Sequence, residues 1–592
     1  MSATAAGVTI SPAEAGLDVV FLVLHPNVPS RVDALRAALG EQGITVAREQ
    51  IVTIGSPGGP EALARAVAGR PQAPGGAPVE GANAVPARPV ALIPAELVVN
   101  GTALGAVLDH PRVRTGALAS AVAGGDETYE LLDVLKIDAA DRPAAGGLIH
   151  DLDPAAPDDL LIELVRRLPG AGVTVQPVQI GGYLWARPAD AEQADTAVRA
   201  LAAVPERRVR LREAARGGDG FFSTFVLRKL SWRLTGPAER LGLTPNQVTA
   251  GSFVLGLVAA VLIASGDRLP AVIGALLLQL CVVVDCVDGE LARYRRRFSR
   301  LGAWLDASTD RIKEFAVIFA LAVAGARADQ DLWPLAALAI GVQTFRSLAD
   351  LSWSLRRAQL AGPVVPAPVS WVAPAEPVRV PRGFSSATDT FGVTGWLKRI
   401  GHFPIGERFL VISLGAALWT PKATLILLCV FGLGAAVYLL AALTSRARSL
   451  AGDLAAAVPA DTGPWLGAVL QRLRGRSAVI APAVVAVAET ALVYLLSSAV
   501  EAQHGAAVML VAVIAVAHYL QAYGVREGAG SAGLVIGADL RIVAFIVLIF
   551  LPGLLLPLDT EDWVTGGLWA LTAVVAVTSA GTSLKSWIGA AR

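Results

Sequence analysis

Hydrophobic and polar positions along this chain follow two different patterns, and the change falls between residues 217 and 245. Before it, apolar runs are short. Residues 18–24 and 89–93 have the length and β-branched content of buried strands. Residues 31–40, 60–69, 158–168 and 188–203 carry helical spacing, and strands alternating with helices predict a cytoplasmic α/β domain over 1–216. The Gly/Pro/Ala-rich stretch 71–88 is expected to be a loop.

After residue 245 the apolar runs lengthen to about 20 residues, enough to cross the hydrocarbon of a bilayer. Spans are expected near 246–265, 270–291, 306–326, 332–353, 405–420, 422–444, 478–499, 505–523, 536–557 and 563–584. The segment 217–243 sets Arg228, Lys229, Arg233 and Arg240 among Phe221, Phe222, Phe225, Leu230, Trp232 and Leu234, a pattern suited to a membrane surface. Basic clusters at 228–240, 293–300, 346–399, 446–476 and Arg526 alternate with turns holding only Arg268, Arg327 and Lys422. The positive-inside rule then places the N-terminal domain, the basic loops and the C-terminus in the cytoplasm. The proline-rich connection 361–395 shows no periodicity and reads as a linker.

Composition agrees with this division. Of 592 residues, 54% are hydrophobic and 17% charged, against about a quarter charged in soluble proteins; the deficit lies after residue 245. A net charge of +1 and the lack of a long Lys/Arg tract exclude nucleic acid as an expected partner. Cys281, Cys286 and Cys429 form no ligand-spaced cluster, so neither a disulfide framework nor a zinc site is expected. The opening residues have no basic stretch leading into an apolar core, so the N-terminal domain is expected to stay where it is made.

The chemistry concentrates where the second span meets the cytoplasm. There the chain reads Asp285-Cys-Val-Asp288-Gly289-Glu-Leu-Ala292-Arg293, followed by Gly302, Asp306 and Asp310. On a helix, positions 285, 288, 289 and 292 share a face, and 306 and 310 share another one turn apart. Two neighbouring helices could therefore aim four carboxylates into one cleft, with Gly289 and Ala292 leaving room for a bulky group. Acids in apolar spans are functional candidates by default. Four together need a cation, and hard oxygen ligands favour Mg2+ or Mn2+. Such ions stabilise entering and leaving oxygens in displacement at phosphorus, and Arg293 adds a fixed charge for a phosphate.

The pattern D-x-x-D-G-x-x-A-R-x(8)-G-x-x-x-D-x-x-x-D is complete here and resembles the signature of the CDP-alcohol phosphotransferases. That resemblance implies a six-span membrane domain, here 217–445, moving a phosphatidyl group from a CDP-alcohol such as CDP-diacylglycerol to a hydroxyl acceptor, with release of CMP, in phospholipid synthesis. It implies that Asp285, Asp288 and Asp306 hold the metal, and that Asp310 is the general base and a further ligand. Asp288, Gly289, Ala292, Arg293 and Gly302 would line the CDP pocket. Thr244 and Asn246, opening the first span, resemble the family's segment beside the nucleotide, although Thr244-Pro245 is also simply a good helix start. Arg346, Arg356, Arg357 and Arg408 lie near cytoplasmic span ends, where they could bind an acceptor's phosphate; Arg346 and Arg408 are the candidates retained, Arg408 first.

The partners expected are thus a CDP-alcohol lipid, a hydroxyl acceptor and membrane lipids, with a homodimer compatible, in a multi-pass protein of the plasma membrane whose site faces the cytoplasm. The N-terminal domain lacks nucleotide-binding glycine motifs. Its position resembles bifunctional members that carry a sugar-nucleotidyltransferase, of which it would be a degenerate, non-catalytic relative, as in an actinobacterial subset. Residues 446–592 would add four more spans, with Glu489, His518, Asp539 and Arg541 pairing together or lying near the interface. A transporter built on these C-terminal acids and a non-catalytic membrane scaffold are the rival readings.

Overall fold

The structure is a computed structural model. It describes residues 16–68, 88–215, 220–360, 370–374, 378–379, 402–448, 462–470, 476–526, 537–555 and 560–591, with gaps at 55, 57, 111–112, 123–127, 153–158 and 180–182. The chain divides into two units: residues 1–214, 294–296 and 363–390 make the first, and the rest make the second.

In the first unit, the apolar run at 18–24 becomes β1 (Leu17–Val23), and further strands follow as β2 (Val46–Thr53), β3 (Val90–Pro94), β4 (Val98–Val99), β5 (Gly116–Ala121), β6 (Thr128–Ile137), β7 (Gln176–Gln179) and β8 (Trp185–Ala186). The main sheet runs β2-β1-β3-β6-β5-β7. Strand β1 pairs in parallel with both β2 and β3, while β6 runs antiparallel to β3 and β5. Strands β1 and β3 are almost wholly buried, as a parallel sheet covered on both faces requires.

The predicted helices appear as α1 (Val32–Glu41), α2 (Gly59–Ala68), α5 (Leu160–Arg167) and α6 (Ala191–Ala202); between and after them lie α3 (Gly101–Leu108), α4 (Arg142–Ile149) and α7 (Glu206–Ala214). One core packs Val20, Leu22 and Leu92 of the sheet against Leu63, Ile149 and Leu164. A second core, built on Val19, Phe21 and Ile93, meets Leu35, Leu39 and Leu104. The expected loop 71–88 lies, but for Arg88, outside the described residues.

The connection 361–395 is more than a linker. Its Ser370–Val372 forms β9, parallel to β6, and Val378–Arg379 forms β10, antiparallel to β8. Trp371 is buried there, 6.1 Å from the Tyr129 ring. The intervening prolines hide these short strands in the sequence, because proline confines itself to strand ends and edges.

The second unit is helical. Segment α8 (Arg228–Arg240) tucks Ser231 and Thr235 inside, while Leu230 and Leu234 stay exposed, as a surface-lying helix needs. Ten long helices follow in register with the expected spans: α9 (Pro245–Ala264), α10 (Arg268–Arg295), α11 (Arg300–Ala326), α12 (Trp333–Leu360), α13 (Ile405–Leu418), α14 (Pro421–Arg448), then, after the short α15 (Gly463–Leu470), α16 (Arg476–Ala499), α17 (His504–Arg526), α18 (Ala538–Leu555) and α19 (Thr560–Ala591). Among the described residues, six contain stretches long and apolar enough to cross a membrane: Pro245–Ala264, Arg268–Arg295, Pro421–Thr444, Ile480–Ala499, His504–Arg526 and Glu561–Trp587. Helices α11 and α12 carry more charge, and α13 is shorter, with 14 residues. Helix α11 packs against α9, α12, α14, α17 and α19, so protein covers most of it, with Ile312 left exposed.

Candidate active site

The site is assembled from α9, α10 and α11. Helix α9 starts sharply: the Thr244 hydroxyl accepts from the Gln247 N–H at 3.3 Å, and Gln247 Oε1 accepts from the Thr244 N–H at 2.9 Å, a complete capping box with Pro245 in the first turn. Helix α11 starts on Ser299, whose hydroxyl accepts from the Gly302 N–H at 2.8 Å. These two helix starts approach closely, since a Cβ on Gly302 would lie 3.0 Å from Asn246 Oδ1. Thr244 is thus committed to its cap, while Asn246 and Gly302 lie side by side.

Three of the four aspartates come together. Asp285, Asp288 and Asp306 each present a carboxylate oxygen within 4.8 Å of the other two. A hard cation takes such ligands at about 2.0–2.6 Å, so small side-chain rotations would bring all three onto one ion. The donor set is oxygen only, which fits Mg2+ or Mn2+ and disfavours softer metals.

Neighbours hold two of these carboxylates in place. Thr249 on α9 donates to Asp288 Oδ2 at 2.5 Å, and the Gly289 N–H donates to Asp288 Oδ1. Ser252, one turn further along α9, donates to Asp285 Oδ1 at 2.8 Å. The fourth aspartate, Asp310, is not within the three-carboxylate group; it lies 3.0 Å from Nζ of Lys313, which also donates to Asp285 Oδ1 at 2.5 Å. The Arg293 guanidinium runs back along α10, so that a Cβ on Gly289 would lie 3.2 Å from its Nη1. The missing side chain of Gly289 is what leaves room for the guanidinium there.

Sequence reasoning overlooked Thr249, Ser252 and Lys313. A signal existed for the lysine: it is an ionisable residue in an apolar span, which is reason enough to suspect it. Thr249 and Ser252 share a helix face at three-residue spacing, but hydroxyls in spans commonly back-bond to their own helix, so their pattern was mute.

The two arginines expected to meet the acceptor are buried beside this cluster. Arg408 donates to Glu314 Oε1 at 2.5 Å and Oε2 at 3.2 Å, and to the Phe403 carbonyl at 2.9 Å. Arg346 donates to the same carbonyl at 3.1 Å, to the His402 carbonyl and to Gln343 at 2.7 Å. Arg311 also donates to Glu314, at 2.6 Å, and stacks over the Tyr519 ring at 4.6 Å. The side chains of Arg356 and Arg357 lie outside the described residues.

Glu290, next to Gly289, is fully buried and accepts from Ser231 and Thr235 of α8, each at 2.5 Å. This pins the surface helix to the aspartate-bearing span.

Among the C-terminal polar residues, Glu489 accepts from Arg541 at 2.6 and 2.9 Å and pairs with His518 at 2.7 Å, all three buried. Asp539 instead accepts from the Trp465 N–H at 2.8 Å near the start of α15. In the first unit, the carboxyl ends of β1 and β3 mark where an open α/β sheet would take a ligand. There Glu96 accepts from the Leu24 N–H at 2.7 Å and the His25 N–H at 2.5 Å.

Residues 242–378 match the CDP-alcohol phosphatidyltransferase family. The chain is 35% identical over 149 residues to the bifunctional IPC transferase and DIPP synthase of Aquifex aeolicus, a match covering 24% of this chain and 31% of that protein. It is 29% identical over 107 residues to the archaetidylinositol phosphate synthase of Pyrococcus horikoshii, covering 17% of this chain and 55% of the relative. It is 39% identical over 98 residues to the phosphatidylinositol phosphate synthase of Mycobacterium marinum, covering 16% and 41% respectively. The aspartate cluster of α10 and α11 lies inside the matched segment, and the chain carries a CDP-alcohol phosphatidyltransferase domain.

Proposed function

We propose that this protein transfers the phosphatidyl group of CDP-diacylglycerol to a hydroxyl of a phosphorylated polyol, with CMP as leaving group, at the cytoplasmic face of the plasma membrane. The observation that carries this reading is the convergence of Asp285, Asp288 and Asp306 within 4.8 Å, with Asp310 beside them on α11. Relatives named for phosphatidylinositol phosphate and archaetidylinositol phosphate synthesis put an inositol phosphate first among acceptors.

Asp285, Asp288 and Asp306 would hold the divalent ion, which supplies positive charge to the pyrophosphate oxygens of the donor. Arg293, lying along Gly289, would bind the donor's phosphates. Thr249 and Ser252 fix two carboxylates in orientation. Asp310 takes the proton from the acceptor hydroxyl, whose oxygen then bonds to the phosphatidyl phosphorus as the bond to CMP breaks. Arg311 and Arg408 share the Glu314 carboxylate, and Arg346 meets Arg408 at the Phe403 carbonyl, three guanidiniums in a setting that favours an acceptor bearing phosphate. The reaction needs no covalent enzyme intermediate.

The C-terminal unit supports no transport reading, because both oxygens of Glu489 are already taken by Arg541 and His518. For the α/β domain, the Glu96 carboxylate sits on the N–H groups that a nucleotide's phosphates would use, which favours a non-catalytic role.

The test is CMP release by the purified full chain with CDP-diacylglycerol and Mg2+, offered inositol phosphate, glycerol phosphate, free inositol and a lipid alcohol in turn. Release with the phosphorylated acceptors alone is expected, and Asp310→Asn should abolish it while the protein still unfolds in one cooperative transition. No release with any acceptor would sink the reading.

A further inference from the structure

The mechanism leaves one buried charge without a task. Lys313 is 2% exposed, lies on the helix that carries Asp306 and Asp310, and points its ammonium into the carboxylate cluster. Its reach depends on Gly256 of α9: a Cβ there would lie 2.9 Å from Lys313 Cγ and 3.0 Å from Cδ. The aliphatic stem thus runs across a helix surface bare of side chain. At its end, Nζ lies 2.5 Å from Asp285 Oδ1, 3.0 Å from Asp310 Oδ1 and 3.4 Å from the Ser252 hydroxyl. A lysine without counter-charge at this depth would be very costly. Here it has two carboxylates.

Four carboxylates at one site could in principle hold two divalent ions about 3.5–4 Å apart, each ion needing oxygens of its own and one carboxylate bridging. Lys313 alters that count. A second ion would draw on Asp310 together with an oxygen of Asp285, and these are the groups that the ammonium joins. Asp285, Asp288 and Asp306 still turn one oxygen each toward a common point. One divalent ion and one ammonium answer three of the four negative charges, and Arg293 stands nearby for the donor's own phosphates. A second divalent ion would have to settle against a fixed positive charge in a low-dielectric cleft.

We propose that Lys313 is a built-in cation of this site, taking the place of a second divalent ion between Asp285 and Asp310, so that the enzyme works with one. The lysine then keeps the base Asp310 paired and oriented while leaving it off the metal. This rests on the metal reading of the aspartates given above, and the experiment separates the two.

Mn2+ is titrated into the purified full chain, and free ion is counted by its room-temperature EPR signal. One ion per chain is expected for the wild type. Two ions are expected for Lys313→Met, with low-temperature spectra broadened by the coupling of neighbouring Mn2+ centres. Asp310→Asn should still bind one ion, with affinity changed less than about threefold. Two ions in the wild type, one in Lys313→Met, or loss of an ion in Asp310→Asn would each overturn the proposal. No ion in the wild type would instead refute the metal reading on which it stands. The wild type and Asp310→Asn decide the matter even if Lys313→Met does not fold.

Discussion

Gly256→Ala sets two opposed effects against each other at one position. Alanine in place of a mid-helix glycine stabilises a helix by about 1 kcal/mol. Here the new methyl would sit 2.9 Å from Lys313 Cγ and 3.0 Å from Cδ, and 3.3 Å from Cys281 Sγ. Those lysine atoms are the inner part of a buried stem whose far end is tied to Asp285 and Asp310, so they cannot swing aside without breaking both pairs. Overpacking of this kind costs about 1–3 kcal/mol. The clash should win by about 1 kcal/mol, and Gly256→Ala should lower the unfolding temperature of the Mn2+-loaded protein. In a Lys313→Ala background the stem is gone, while the contact with Cys281 Sγ at 3.3 Å persists. The same substitution should then stabilise, by up to about 1 kcal/mol. Thermal unfolding in detergent of the four proteins in this cycle, with Mn2+ saturating, reads the sign directly. Equal stabilisation in both backgrounds would show that Lys313 does not run across Gly256, and the account of the lysine would fall with it.

Further outcomes follow from the same geometry. Thr249→Val removes the hydroxyl that holds Asp288 and should weaken Mn2+ binding by about 10-fold or more, measured by the same EPR titration, while Ile263, deeper in α9, should tolerate valine with little change in affinity. Arg408→Met leaves Glu314 paired with Arg311 alone and should destabilise by about 3–5 kcal/mol; the double variant with Glu314→Met should recover part of that loss, and strictly additive effects would argue against direct pairing. Tyr519→Leu removes the ring under Arg311 and should cost about 0.5–2 kcal/mol, seen as a lower unfolding temperature.

Much of this was legible in the sequence because it follows from spacing. The period of apolar residues located ten long helices, and the gaps among Asp285, Asp288, Asp306 and Asp310 already implied two helix faces turned to one cleft. What stayed hidden depends on the third dimension. Nothing in the sequence near Gly256 says that a lysine 57 positions later will need its bare surface. Arg346 and Arg408 were visible as cationic residues near span ends, but their attachment to Phe403 and Glu314 depends on the docking of α11, α12 and α13. Strands β9 and β10 were missed because prolines surround them, and their pairing partners lie far back in the chain.

Helix α11 shows why the domain carries more helices than its chemistry requires. Within one stretch it holds Asp306, Asp310, Arg311, Lys313 and Glu314, a run of charge that lipid contact would make prohibitive. Each of these groups but Asp306, which faces the carboxylate cluster, has a counter-charge or a ring: Asp310 has Lys313, Lys313 has Asp285, Glu314 has Arg408, and Arg311 has Glu314 and Tyr519. Helices α10 and α13 supply the charged partners on one side, Asp285 and Arg408. On the other, the C-terminal helices supply cover: Tyr519 of α17 lies under Arg311, and Ser583 of α19 accepts from the indole of Trp304, two residues before Asp306, at 2.8 Å. A helix this polar can sit among membrane spans only when protein covers its charged groups, and α17 and α19 add cover at Arg311 and Trp304.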